Sequence, residues 1–140
     1  GFSRPRVLAE AYRQSRQAAQ AAAVDPQLGE LVDCRATGLY QLLASAGGGA
    51  GAWADAGSVY FRMLEDHDRN GELLPVLELF YDNDSSVQEV AAKLHLHRSS
   101  VYNRLGRIRQ VLGVDPLKGM VRLELHAALK ARRWAGRPRI

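Results

Sequence analysis

The chain is 140 residues long and 46% hydrophobic, enough for one domain or two small ones with a buried core, and it has no apolar run of about eighteen residues that could span a membrane. A lone cysteine, Cys34, excludes an internal disulfide framework and fits a reducing cytoplasm. The formal net charge of +4 is unevenly placed: residues 81–140 hold twelve Lys or Arg against five Asp or Glu, net +7, and residues 1–80 hold seven against ten, net −3, so the C-terminal half is suited to an acidic partner such as nucleic acid.

In chain order, residues 5–24 predict a helix with Val7, Leu8, Ala11, Tyr12, Ser15, Ala18, Ala19 and Ala22 on one face, ended by Asp25-Pro26. Residues 31–34 read as a short strand remnant. Residues 37–46 predict a helix carrying Leu39, Tyr40, Leu42 and Leu43. The run Gly-Gly-Gly-Ala-Gly at 47–51 breaks the chain. No Gly-Lys-Ser/Thr follows it, so it reads as a mobile linker, not a phosphate-binding loop. Residues 58–68 predict a helix with Val59, Tyr60, Met63 and Leu64. Its acidic cluster, Glu65, Asp66 and Asp68 around His67, reads as a solvated helix end. Arg69-Asn70-Gly71 is a turn, and residues 73–81 form a helix with Leu74, Leu77, Phe80 and Tyr81 on its apolar side.

The stretch 85–112 carries the functional signal. Ser86 and Glu89 form a capping box ahead of Val87, Val90, Ala91 and Leu94, one apolar face of a short helix. The small pair Ala91-Ala92 permits a close helix crossing. Across the tripeptide His95-Leu96-His97, Leu96 is the residue to plug the gap. A second helix follows, with Val101, Leu105, Ile108 and Leu112 buried and Arg98, Ser99, Ser100, Tyr102, Asn103, Arg107 and Arg109 opposite. Its first turn has no acid to match the helix dipole, and Arg, Ser and Asn there suit phosphates and base edges. Together these are the parts of a helix-turn-helix. His95 and His97 lack a third ligand at metal spacing, so no metal site is expected, nor any cofactor or catalytic constellation.

The leading helix LLPVLELFYDND, the H-L-H turn, the second helix SVYNRLGRI, the G-V-D-P sequence and the closing helix VRLELHAALKA together resemble the C-terminal helix-turn-helix of PucR/CdaR-class bacterial transcriptional regulators, over residues 73–131. The turn and second helix are also similar to the Fis-type motif. Arg98 stands where that class often has Pro, and Gly106 lies inside the second helix, where it costs about 1 kcal/mol relative to Ala and is expected to admit another backbone closely. The upstream stretch resembles the tail and connector of the degenerate GGDEF-like domain found in the same class, although no Gly-Gly-Asp-Glu-Phe occurs.

The expected fold is mainly α: a helical bundle with a C-terminal helix-turn-helix and a helical N-terminal portion. The expected division is 1–72 as helical N-terminal region, 73–133 as DNA-binding domain and 134–140 as basic tail. The expected function is a non-enzymatic, cytoplasmic, sequence-specific regulator that reads double-stranded DNA. Arg98, Ser99, Ser100 and Asn103 would meet base edges, and Ser86, Lys93, Tyr102, Arg104, Arg107 and Arg109 the backbone. A homodimer is expected, through the Tyr12 face and Tyr60, Phe61, Met63 and Leu64, or through Leu123, Leu125 and Leu129 of the closing helix. The alternatives are an interaction module whose helix-turn-helix does not bind DNA and a fragment related to nucleotide cyclases. The chain opens on Gly without an initiating Met, so it is expected to be a piece of a longer protein, with any effector bound by a domain upstream.

Overall fold

The computed structural model describes residues 4–28, 38–45 and 58–138. The strand remnant expected at 31–34, with Cys34, and the Gly-rich run at 47–51 lie outside the described residues. Among the described residues all regular structure is helical: α1 (Arg4–Val24), a 3-10 turn (Pro26–Leu28), α2 (Gly38–Ser45), α3 (Val59–His67), α4 (Leu73–Asp82), α5 (Val87–Leu94), α6 (Arg98–Leu112) and α7 (Gly119–Ala135). This is the expected mainly helical fold, and none of these helices is long and apolar enough to cross a membrane. The chain divides into two compact units, one of Asp55–Leu129 and one of Gly1–Ala54 with Lys130–Ile140.

The unit Asp55–Leu129 is built around α4. Leu73, Leu74, Val76, Leu77, Glu78, Phe80 and Tyr81 are all buried, so this helix is enclosed on nearly every side. Phe61 and Leu64 from α3, Val90 and Ala91 from α5, Val101, Leu105, Ile108 and Leu112 from α6 and Leu125, Ala128 and Leu129 from α7 complete one core. Two expected dimer surfaces are thereby corrected. Phe61 and Leu64 are core residues, and so are Leu125 and Leu129; of those residues Met63 and Leu123 remain exposed. The physical reason is that α3 and α7 use the same apolar stripes to close over α4.

Both ends of α4 are fixed by polar groups. At its start, the Asp68 carboxylate accepts hydrogen bonds from the backbone N–H groups of Glu72 (2.8 Å), Leu73 (3.0 Å) and Leu74 (2.9 Å), which would otherwise be orphaned. Asp68 is therefore the cap of α4, not a solvated member of an acidic cluster. At the other end, the buried Tyr81 hydroxyl donates to the Pro116 carbonyl at 2.5 Å, and burial pushes its pKa up. Asp82 pairs with His126 at 3.0 Å.

In the other unit, Ala18 and Ala21 of α1 and Tyr40 and Leu43 of α2 are buried, together with Ala131 and Trp134 of α7. The α1 face expected to be apolar is only partly covered, because Leu8 and Tyr12 stay exposed. Within the basic segment the helix continues to Ala135, and Trp134 is buried. A buried ion pair joins Lys130 Nζ to Asp25 Oδ2 at 3.0 Å, and the Tyr40 hydroxyl donates to the same oxygen at 2.5 Å. These bonds supply the polar partners that a buried charge requires.

Burial raises the pKa of Asp68, but the N–H donors of Leu74, Leu73 and Glu72, aided by the Arg107 charge, outweigh it and hold the carboxyl below its ordinary value. A depressed folded-state value means that Asp68 stabilises the fold above the ordinary carboxylate range. That contribution disappears as pH falls through the folded value. Asp68→Ala is expected to lower stability by about 1–2 kcal/mol at neutral pH, the usual effect of losing a helix cap. Urea titrations at pH 7 and pH 3 measure this, and the difference between wild type and variant should shrink at the lower pH.

Candidate nucleic-acid interface

Helices α5 and α6 occupy the bounds their sequence patterns predict. Ser86 caps α5, its Oγ accepting from Glu89 N at 3.2 Å, and Val90 and Ala91 face the core. The turn is made by His95, which lies in the left-handed region at φ 54 and ψ 45. That conformation lets Leu96 N donate to Ala91 O at 2.9 Å and His95 N to Ala92 O at 3.3 Å, closing off the last carbonyls of α5. Leu96 packs half-buried against the core, as its place in the turn predicts. The next residue, His97, returns to extended backbone and starts α6.

The apolar stripe of α6 is Val101, Leu105, Ile108 and Leu112, all buried, so the opposite face is left to solvent. Arg98, Ser99 and Asn103 are exposed, and Ser100 and Arg104 are half-buried. Tyr102 is 59% exposed, an unusual position for an aromatic ring with nothing of this unit over it. Other expected contact residues already have partners. Arg107 Nη1 pairs with Glu72 at 3.2 Å and Arg109 Nη2 with Asp115 at 3.1 Å. Lys93 Nζ donates to Asn83 Oδ1 at 2.8 Å. The Leu117 backbone N–H and the Arg109 guanidinium hold the Asp115 carboxyl below its ordinary pKa. Exposed ion pairs of this kind contribute about 0–1 kcal/mol, so Arg107 and Arg109 can exchange their partners for phosphates at little cost.

The start of α6 differs from its neighbours. Ser58 caps α3 through Phe61 N, Asp68 caps α4 and Ser86 caps α5, whereas His97 offers no side-chain acceptor to α6. No acidic residue lies in its first turn. The N-terminal end of α6 therefore presents unmatched N–H groups and the Arg98 guanidinium together, a locally positive surface.

That positive character is local. Asp55–Leu129 contains nine Lys or Arg against eleven Asp or Glu, a net of −2, so most of the excess over residues 81–140 comes from residues 130–140, which belong to the other unit. Within Arg98–Leu112 there are four arginines and no acid. The field relevant to an acidic partner is that of this one helix face.

Arg122, on α7, carries no signal in the sequence yet supports the site. Its Nη1 donates to Ser85 Oγ at 2.9 Å, and its guanidinium lies over the Tyr81 ring at 5.1 Å. It thus holds the turn immediately before the α5 cap, across a separation of 37 residues that no local pattern reveals.

Gly106 departs from expectation. A Cβ built there meets nothing within 4 Å, so within the chain no backbone approaches it. It instead opens a surface cavity of about 400 Å³ with Phe80, Val87, Tyr102, Leu105 and Arg109 among its walls. Gly106→Ala is expected to stabilise the protein by about 0.5–1 kcal/mol, because a helix-interior glycine gives up more backbone entropy than alanine and no clash opposes the change. A higher urea midpoint with unchanged slope confirms this, and a lower midpoint refutes it.

Comparison with known families places a match on this same region: residues 73–131 fit the model of the PucR C-terminal helix-turn-helix domain. No curated protein and no solved structure matches the chain. The matched segment runs from the first residue of α4 to Ala131 of α7, so the helix-turn-helix and the two helices that brace it are similar to that domain.

Proposed function

We propose that this chain is the DNA-reading part of a transcriptional regulator, with α6 as the helix that enters the major groove. The observation that carries the proposal is the N-terminal half of α6, uncapped and free of acids, where Arg98, Ser99 and Asn103 are exposed and have no partner among the described residues. Helices of this motif approach base edges with their N-terminal residues. Arg98 is suited to guanine and Asn103 to adenine, each in bidentate fashion, with Ser99 and Ser100 beside them. Arg104 and Tyr102 then flank the readers as backbone contacts. Arg107, Arg109 and Lys93 reach phosphate by giving up their present partners, and Ser86 does so with its hydroxyl proton while remaining a cap.

The protein works in the cytoplasm as a homodimer, since one such motif buries too little surface for operator-level affinity. The exposed Leu8 and Tyr12 of α1, one helical turn apart, form the dimer surface that remains after Phe61 and Leu64 are assigned to the core. The kinship of the upstream stretch with a degenerate GGDEF-like domain rests on its sequence resemblance, and the regulator performs no catalysis of its own.

Asn103→Ala is expected to cost about 1–3 kcal/mol on the preferred site and to relax selectivity at one base position. Selection of binding sites from random duplexes, followed by titration, measures both, and an unchanged preference in Asn103→Ala and Ser100→Ala together removes the assignment. Arg107→Ala is expected to weaken binding to all sequences alike and to reduce the magnitude of the salt slope by about 0.9. Affinity independent of salt refutes DNA binding by this face. Sedimentation with and without duplex tests the dimer, and a monomer saturating a single half-site excludes it.

A further inference from the structure

We infer that the unit formed by Gly1–Ala54 and Lys130–Ile140 holds a binding site for a small oxyanion, a carboxylate or phosphate, between α1 and the end of α7. The inference does not rest on DNA binding, and it places a ligand in this chain instead of in a domain upstream.

Three independent observations meet there. The first is a cavity of about 230 Å³ walled by Arg13, Arg16, Gln17, Gln20, Trp134 and Arg137, with no acidic side chain among them. Every polar side chain in that wall is a donor or an amide, which matches an anion and disfavours a cation. The second is the indole N–H of Trp134. The residue is 1% exposed, and its Nε1 is a buried side-chain nitrogen with no acceptor among the described residues. An unmet buried donor of this kind costs about 1–3 kcal/mol, which an incoming acceptor recovers. The third is the state of the arginines. Arg13 is occupied by Glu10 on the same helix. Arg16 is exposed and has no hydrogen-bond or ion-pair partner among the described residues. Arg137 has no carboxylate partner among them; it lies over the Trp134 ring at 4.3 Å and donates to Trp134 O at 2.9 Å.

The site is also built, in the sense that its walls are fixed. Gln20 is 6% exposed and its Nε2 donates to Pro138 O at 2.9 Å, while Arg133 Nη1 donates to Val24 O at 2.8 Å. These bonds hold the segment after α7 against α1. An anion seated between Arg16 and Arg137 gains two charge-assisted donors. As the Arg137 guanidinium turns from the ring toward the anion, the indole N–H gains its acceptor.

The test uses the full chain, with inorganic phosphate and succinate as probes. The indole Nε1–H resonance of Trp134, assigned with the Trp53→Phe variant, is followed by NMR during titration, with calorimetry alongside. The expected result is saturable binding by at least one probe, with a downfield shift of that resonance. Arg16→Ala, an exposed substitution that leaves the fold intact, is expected to weaken binding about tenfold, the loss of one charge-assisted hydrogen bond. Arg62→Ala, an exposed residue of α3, leaves it unchanged. No saturable binding of either probe, or binding that Arg16→Ala does not weaken, overturns the proposal.

Discussion

The burial of α4 is the constraint on which the unit Asp55–Leu129 depends. A ten-residue helix with seven buried positions cannot stand at a surface, so every neighbouring helix must turn its apolar stripe toward it. This decides which face of α6 is left for solvent. Val101, Leu105, Ile108 and Leu112 go inward, the spacing of 3.6 residues per turn puts Ser99 and Asn103 outward, and Arg98 is exposed because it stands at the first position of the helix. The polar ties at either end of α4, Asp68 at its start and Tyr81 to Pro116 at its close, fix the helix along its own axis. The exposed face of α6 is thus a by-product of core packing: it is whatever the α4 core does not consume.

How much of this was legible follows from how local each signal is. The bounds of α5 and α6 could be read because a capping box and a periodic stripe lie within a few residues of what they specify. Gly113, at φ 69, is the left-handed residue on which α6 ends. The fate of Phe61 and Leu64 could not be read in the same way, since a stripe on α3 reveals that something covers it but not whether the cover is the chain itself or a second copy. Trp134 was illegible for a similar reason: it sits among basic residues that read as a solvated end, and its partners Ala21 and Tyr40 lie about a hundred residues away. The role of Asp68 was hidden by composition, because an acidic cluster looks solvated until backbone donors are seen to converge on one member.

Charge illustrates the difference between a sequence count and a field. The basic half of the chain is real, but its arginines belong to two units, and the unit containing the helix-turn-helix is itself slightly acidic. Association with a polyanion then relies on how charges are arranged, with acids such as Glu72 and Asp115 paired to the distal arginines of α6 and none beside the proximal one. Such an arrangement favours an approach by the N-terminal end of the helix, because there the positive potential is not cancelled by a neighbouring carboxylate. The distal arginines are held only by weak surface pairs, which a competing anion can displace at little cost.

Departures from local rules fall in α6 and in the turns on either side of α5. His95 holds a left-handed conformation that costs an L residue about 1–2 kcal/mol. His97 leaves α6 without a side-chain cap, whereas the three preceding helices have one, a difference of about 1 kcal/mol. Gly106 gives up about as much again in the middle of a helix, with no contact inside the chain that requires it. The turn before α5 departs as well, with Asp84 at φ 53 and Ser85 at φ 66, whereas Ser58, Asp68 and Ser86 cap, and Gly113 sits at the left-handed position that terminates α6. The His95 exception serves the fold, since it closes the turn between α5 and α6, whereas the uncapped start of α6 and Gly106 answer no requirement among the described residues. His95 sets the angle at which α6 leaves the turn, the missing cap leaves N–H groups available to an acceptor outside the chain, and Gly106 keeps the exposed face next to Tyr102 open. Each of the three lowers stability, and the last two leave the α6 face more open.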